Sequence, residues 1–529
     1  MKIAFIHPDL GIGGAERLVI DAATGLQSLG HEVTIYTSHH DPKRSFPETN
    51  DGTLKVHAIR PPFPRSIGGK FHIILAHLRQ LHLILTLLFS TDRREASSSS
   101  AKEYDIFFID QLSTSIPLIR YITLKRVIFY LHFPDKLLSD GAYVDSPSPS
   151  RSSRGWFRGG IRGVVKRVYR LPMDWFEEVT TRNADIIIAN SHFTSRVASR
   201  HLPSLAGRLS VVYPGINFDQ YTSPSTKFSS VEKGPYSGGR ERPTFVSLNR
   251  FERKKDLGLA IRAFALFKSQ LPPNSNSSPQ TLSGYDDRLK DNTETLSSLL
   301  ALAHSLDLTT YIRPLPSPTS SPTSLSSKIV ETMKENPDVT MENCDILFLP
   351  NFTLAERSAL LSPPPPSTIT SSISSPYRST LALLYTPQNE HFGIGPVESM
   401  ACGIGVLACD SGGPRESLVD IPDSYMRTGW LRPPEPEAWA KVLTQIYTLH
   451  TLSLSPSSTS TSPTPSSQAQ TLFSMQSMSS SLQSHLEEAI NMGPVDPSRN
   501  DELGALSTLL GWGLVGLVML LGIAVGRLI

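Results

Sequence analysis

LALLYTPQNEHFGIGPVESMACGIGVLACD, residues 381–410, reads as a strand, a loop, a helix and a second strand. Leu381 to Tyr385 is a short continuous apolar run, Gly405 to Asp410 is another, and a helix starts between them after Pro396. Two such runs joined through a helix imply a parallel pair, since parallel neighbours need a crossover. The loop before the helix carries Asn389, Glu390, His391, Phe392, Gly393, Ile394 and Gly395, and the helix carries Glu398. Two carboxylates separated by seven residues therefore flank a Gly-rich turn. Such a loop can present consecutive backbone N–H groups to an anion while one carboxylate grips sugar hydroxyls and the other a ribose.

The same grammar extends in both directions. Thr244 to Asn249 and Asp345 to Pro350 read as strands and Leu257 to Lys268 as a helix. Upstream, Ile3 to His7, Glu32 to Thr37, Asp105 to Asp110, Val127 to His132 and Asp185 to Asn190 read as strands, with a helix from about Ala15 to Gly30. The alternation predicts an α/β protein of two Rossmann-like, doubly wound domains, residues 1–218 and 243–450. Residues 219–242, rich in Ser, Gly, Pro and Lys, read as the linker between them. Arg313 to Lys328, Ser362 to Ser379 and Leu452 to Ser484 are dominated by Ser, Thr and Pro and are expected as disordered insertions, the last within a Ser/Thr-rich linker at 451–500.

With 529 residues the chain is long enough for two cores, and its 50 basic against 48 acidic residues give no global electrostatic case for nucleic acid. Only Cys344, Cys402 and Cys409 occur, without metal-ligand spacing, so neither a disulfide framework nor a metal is expected. The apolar run at the N-terminus stops at Pro8, too short for a signal peptide, which suggests a cytosolic start. Leu503 to Gly526 lack any charge, and 24 helical residues reach about 36 Å, enough to cross a hydrocarbon core of about 30 Å. Residues 503–526 are therefore expected to form a transmembrane helix. Phe71 to Ser90 is a long apolar segment with His72, His77 and His82 spaced about 140° apart, so they do not converge on a metal. It reads either as a helix packed on the first sheet or as one lying in the bilayer surface.

Gly11, Gly13 and Gly14 sit where the first strand turns into a helix, a place where backbone N–H groups can approach a phosphate and where glycine is equally ordinary loop chemistry. Arg250, Arg253, Lys254 and Lys255 cluster at the end of the second domain's first strand, where ligands of open α/β sheets bind. A diphosphate is their natural partner. His132 ends a first-domain strand.

The Glu-x7-Glu string with Gly412-Gly413-Pro414 after it, together with Asn249-Arg250-x4-Lys255, resembles the retaining glycosyltransferases of family 4, which have the GT-B arrangement of two Rossmann-like domains. More narrowly, residues 131–135 (LHFPD), 213–216 (YPGI), 249–255 (NRFERKK), 357–361 (RSALL) and 385–394 (YTPQNEHFGI) resemble the alpha-1,3/1,6-mannosyltransferases of the dolichol-linked oligosaccharide pathway, over roughly residues 1–445. The resemblance implies GDP-mannose as donor, a dolichol-diphosphate-linked oligosaccharide (Man-GlcNAc2-PP-dolichol) as acceptor, and two successive transfers at the cytosolic face of the endoplasmic reticulum membrane. It implies other enzymes of the same pathway as candidate partners, and no cofactor. Carried over position by position, it places Arg250 and Lys255 on the donor diphosphate, Glu398 on the ribose, and Glu390 on the transferred mannose with the amides of Phe392, Gly393 and Ile394. His132 would face the sugar, and Gly13 and Gly14 would close over the phosphates.

The chain departs from that pattern in three places. The family's strand ending in Ala-Gly-Gly-Tyr-Asp is replaced by the polar, proline-interrupted run Asn274 to Asp286, a poor central strand. Gly405 stands where the family has proline, and Gly395 replaces a larger apolar residue. Two rival readings are a family 4 transferase using another nucleotide sugar and a catalytically dead membrane scaffold; a donor panel and an in vitro transfer assay separate them.

Overall fold

A computed structural model describes residues 1–67, 71–89, 101–138, 172–222, 244–272, 280–283, 290–313, 339–340, 343–350, 357, 360–361, 380–421, 427–453, 465–496 and 513. The chain divides into two compact units, Met1–Ile216 with Phe473–Ile529, and Asn217–Leu472.

The first unit is built on strands β1 (Lys2–His7), β2 (Glu32–Thr37), β3 (Lys55–Ala58), β4 (Ile106–Asp110), β5 (Arg126–Leu131), β6 (Ile186–Ala189) and β7 (Leu209–Val211), in the order β3-β2-β1-β4-β5-β6-β7 and all parallel. β1, β4, β5 and β6 are buried almost throughout, which explains their continuous apolar runs. One face of the sheet packs Phe5, Phe108, Ile128 and Ile188 against helix α1 (Gly14–Ser28); the other packs Ala4, Phe107 and Phe129 against helix α2 (His72–Phe89) and helix α3 (Ile116–Thr123). The strand order reverses between β1 and β4, and at such a switch point the carboxyl ends of the strands open a crevice.

The second unit repeats this plan with β8 (Thr244–Leu248), β9 (Gln280–Ser283), β10 (Thr310–Ile312), β11 (Ile346–Leu349), β12 (Thr380–Tyr385), β13 (Val406–Cys409) and β14 (Gly429–Arg432), ordered β10-β11-β9-β8-β12-β13-β14 and all parallel. Its switch point lies between β8 and β12. Helix α4 (Leu257–Ser269), helix α5 (Lys290–Ser305) and helix α6 (Pro436–Ser453) cover one core, in which Phe245, Phe264, Phe267 and Trp439 are fully buried.

Three expectations are corrected. The polar run at 274–286 does supply an inner strand: β9 pairs with β8 on one side and β11 on the other, and Leu282 is fully buried. Pairing on both edges and one buried leucine override poor strand propensity, and Pro279 precedes the strand without interrupting it. Residues 451–500 are not simply a linker. Helix α7 (Pro465–Phe473) and helix α8 (Met475–Asn491) lie within them, and α8, capped by Ser474, buries Met478, Leu482, Leu486 and Ala489 against α1 and the first sheet. The contact is close, since a Cβ on Gly25 would lie 1.8 Å from Oγ of Ser479. The expected linker at 219–242 begins with a helical turn, Asp219–Thr222, which carries Tyr221. At Gly405 a Cβ would lie 3.0 Å from the Trp430 ring, so the indole fills the space a family proline would take.

Of the two readings of residues 71–90, packing is what the structure shows: α2 buries Leu75, Leu83, Ile84 and Leu87, although at 18 residues and a mean hydropathy of 1.5 it is also long and apolar enough to cross a membrane. The expected transmembrane helix at 503–526 lies outside the described residues apart from Gly513, as do the insertions at 314–328 and 362–379.

Candidate functional site

In the second unit the chain leaves β8 through Asn249 and turns at Arg253–Lys255 before α4. The hydroxyl of Ser247 donates to the Leu384 carbonyl (2.8 Å), and that of Thr386 donates to the Lys255 carbonyl (2.5 Å). These bonds fix the basic turn against the end of β12, from which the Glu-bearing loop departs. Nζ of Lys255 meets Oε2 of Glu390 at 2.6 Å, with the two side chains 16% and 22% exposed. Burial opposes ionisation of Glu390, but the charges of Lys255, His391 and Lys254 outweigh it and hold the carboxyl below its ordinary value. The Tyr385 hydroxyl, pushed well up by burial and then by the Glu390 charge, also hydrogen-bonds to Glu390.

Helix α9 is Ile394–Ala401 by residue range, lying in sequence before α6; its cap is Gly393, in the left-handed region at φ 88°. The two glycines that follow β13 explain how the loop is held. Gly412 has φ 65°, and a Cβ there would lie 2.4 Å from the Glu390 carbonyl oxygen; one on Gly413 would lie 2.3 Å from that of Phe392. The amide of Gly413 donates to the Glu390 carbonyl (2.8 Å). Only bare backbone can lie so close under residues 390–392, so the Gly-Gly-Pro string is the seat of the Glu390 loop. At Gly395, a Cβ would make ordinary contact with Tyr385 at 3.4 Å.

Glu398, 8% exposed, accepts the Tyr221 hydroxyl on Oε1 (2.8 Å), and its Oε2 pairs with Arg357, whose guanidinium lies 6.0 Å from the Tyr221 ring centroid. Glu390 and Glu398 are thus each matched with a cation on one side of the string. Arg250 stands apart from this pattern: it is 56% exposed and pairs with Glu252 at 3.6 Å. A polyphosphate can therefore be met by exposed positive charge at the β8 end, and a diol by the two carboxylates.

In the first unit Gly13 caps α1 in an extended conformation that any residue adopts, and a Cβ on Gly11 would touch nothing within 4 Å. Backbone conformation does not require glycine at these two positions, but a Cβ on Gly13 would lie 2.3 Å from Oε2 of Glu16, whose carboxylate lies in the first turn of α1. His132, 19% exposed at its side chain, follows β5, with Nε2 2.9 Å from Oδ2 of Asp110 and its carbonyl accepting Nδ2 of Asn190 (3.0 Å). Asp110 and His7, at the ends of β4 and β1, and Tyr221 were not singled out from sequence, and Arg357 appeared only as the first residue of the 357–361 string, with no role assigned. A polar residue closing an apolar strand, as in KIAFIH and IFFID, was the available signal for the first two. Among the described residues, no group of three or more His, Cys, Asp or Glu side chains is placed to hold a metal ion.

Residues 12–220 match the family model described as Glycosyltransferase Family 4, and residues 368–456 match that described as Glycosyl transferases group 1. The chain is 38% identical to the alpha-1,3/1,6-mannosyltransferase ALG2 of Rhizomucor pusillus over 83% of this chain and 82% of that protein. It is 39% identical to that of Kluyveromyces lactis over 84% and 77%, and 33% identical to that of Saccharomyces cerevisiae over 92% and 85%. Among solved structures, Anabaena Alr3699/HepE in complex with UDP and glucose is similar at a TM-score of 0.55 and 17% identity, covering 92% of this chain and 99% of that one. Sucrose-phosphate synthase from Thermosynechococcus elongatus is similar at 0.57 and 15%, covering 93% and 100%. At these identities the structural likeness speaks to the GT-B-like fold.

Proposed function

Because the chain belongs to the alpha-1,3/1,6-mannosyltransferases of lipid-linked oligosaccharide synthesis, we propose that it takes mannose from GDP-mannose and adds it twice, in alpha-1,3 and alpha-1,6 linkage, to Man-GlcNAc2-PP-dolichol. The observation that carries the nucleotide-sugar reading is the 2.6 Å contact between Lys255 and Glu390 beside the N-terminus of α9, and membership of the family supports GDP-mannose as that donor. It sets a cation suited to a diphosphate next to a carboxylate suited to sugar hydroxyls. Lys255 and Arg250 take the diphosphate, and the amides of Phe392, Gly393 and Ile394 add donors at the helix N-terminus. Glu390 holds the mannose and Glu398 the ribose. Gly13 and Gly14 admit the phosphates to the start of α1, and His132 faces the sugar.

The reaction retains configuration by a front-face path. The bond from the mannose anomeric carbon to the diphosphate oxygen breaks, that oxygen receives the proton of the acceptor hydroxyl, and the acceptor oxygen bonds to the same face. Lys255 and Arg250 stabilise the negative charge that grows on the leaving diphosphate, which is where such sites contribute most. The catalytic units face the cytosol at the endoplasmic reticulum membrane, and residues 503–526 anchor them there. A donor panel tests the assignment: GDP-mannose supports transfer, whereas preference for a UDP-sugar overturns it.

A further inference from the structure

Three side chains meet at the carboxyl ends of β1, β4 and β5, which are adjacent in the first sheet. The carboxylate of Asp110 is 1% exposed. Nδ1 of His7 lies 2.8 Å and 2.9 Å from its two oxygens, and Nε2 of His132 lies 2.9 Å from Oδ2. On its other side, Nε2 of His7 lies 3.1 Å from the Asp9 carbonyl oxygen. Carbonyl and carboxylate oxygens only accept, so both nitrogens of His7 donate and the ring is an imidazolium.

Burial works against the charged form of His7, yet Asp110, with smaller help from Glu16 and the Asp9 carbonyl, raises its pKa. Burial likewise opposes ionisation of Asp110, and the His7 charge with hydrogen bonds from His132 and His7 lowers its pKa. Tyr130, packed 5.2 Å from the His132 ring, is neutral and turns its hydroxyl to the Val212 carbonyl. With His7 neutralising Asp110, Oδ2, which His7 also approaches at 2.9 Å, is the oxygen that meets His132.

We infer that Asp110 is a positioning residue for mannosyl transfer, holding His132 as the Nε2–H tautomer so that its Nδ1 accepts a hydrogen bond from a hydroxyl of the transferred sugar. This rests on His132 facing the sugar. In Asp110→Asn the side-chain oxygen keeps the His7 donor and the amide NH2 faces Nε2 of His132. That nitrogen must then accept, the proton moves to Nδ1, and the atom offered to the sugar becomes a donor.

The test uses the full-length protein labelled with 15N-histidine, the His132 signals being assigned by their loss in His132→Ala. The expected result is a proton on Nε2 of His132 in the wild type and on Nδ1 in Asp110→Asn. With it, kcat for transfer from GDP-mannose falls about 10²-fold, less than the roughly 10⁴-fold seen where the tautomer of a general base is wrong. The KM for donor changes by less than about threefold. A wild-type His132 protonated on Nδ1, or a folded Asp110→Asn with unchanged kcat, overturns the inference. Should Asp110→Asn fail to fold, the wild-type spectrum decides alone. His132→Ala separates the two levels: full transfer without the imidazole removes the sugar contact itself, whereas loss in His132→Ala with none in Asp110→Asn removes only the positioning role.

Discussion

Replacing Lys255 with alanine tests whether one donor site serves both linkages. The ammonium sits 2.6 Å from Glu390 and is only 16% exposed, so its charge acts in a partly desolvated setting. At an effective dielectric near 20, a unit charge about 4 Å from a phosphate oxygen is worth ~4 kcal/mol before desolvation is subtracted. Losing a preorganised contact to a developing anion costs about 2.7–4 kcal/mol, or roughly 10²–10³ in rate, which agrees with that ceiling. Lys255→Ala is therefore predicted to slow transfer by about that factor, with Lys255→Arg retaining more activity. The substitution also removes the leading charge that holds the Glu390 carboxyl low, while burial remains. A depressed carboxyl loses its charge as pH falls through its folded-state pKa, so without Lys255 the acid limb of the rate profile moves to higher pH. The assay runs each variant with the one-mannose and the two-mannose lipid-linked acceptor and reads products by mass. Parallel losses are expected. A variant that abolishes one transfer and leaves the other near wild type refutes the single-site reasoning.

Gly412→Ala places a Cβ 2.4 Å from the Glu390 carbonyl at a φ of 65°, so it is predicted to displace the Glu390 loop and to lower transfer while the first unit keeps its protection in hydrogen exchange. Leu482→Ala empties a fully buried position of α8 and is predicted to cost about 2–5 kcal/mol in the first unit, read as lost protection in β1 and β5. Transfer is predicted to persist in EDTA, since Lys255 and Arg250 are the groups assigned to the diphosphate; a loss that magnesium restores counts against that assignment. Removing residues 503–529 is predicted to release the protein from carbonate-washed membranes and to slow turnover on lipid-linked acceptor, and a truncated protein that stays fully bound transfers the anchoring role to α2.

The parts of this architecture that were legible from sequence are those where packing dictates composition. β1, β4, β5, β12 and β13 are buried on both faces, so they appear as apolar runs whatever surrounds them. β9 was hidden because its sequence is polar, while pairing on both edges and the buried Leu282 hold it. α8 was hidden by composition: its serines face outward or lie against small neighbours such as Gly25, and the stripe Met478, Leu482, Leu486, Ala489 was lost in a Ser/Thr-rich average. At the site, the motifs place Lys255 and Glu390 each near a strand end, and it is the sheet order, with β8 beside β12, that brings them together. His7, Asp110, Tyr221 and Arg357 come from distant segments, and only the sheet order and tertiary contacts bring them to His132 and Glu398.

The most direct measurement incubates the purified full-length protein with GDP-mannose and Man-GlcNAc2-PP-dolichol and follows the lipid-linked product by mass and by linkage-specific mannosidase digestion. The expected product carries two added hexoses, one in alpha-1,3 and one in alpha-1,6 linkage, both absent with Glu390→Ala. Contradiction would be an acceptor left unextended while GDP-mannose is intact or merely hydrolysed.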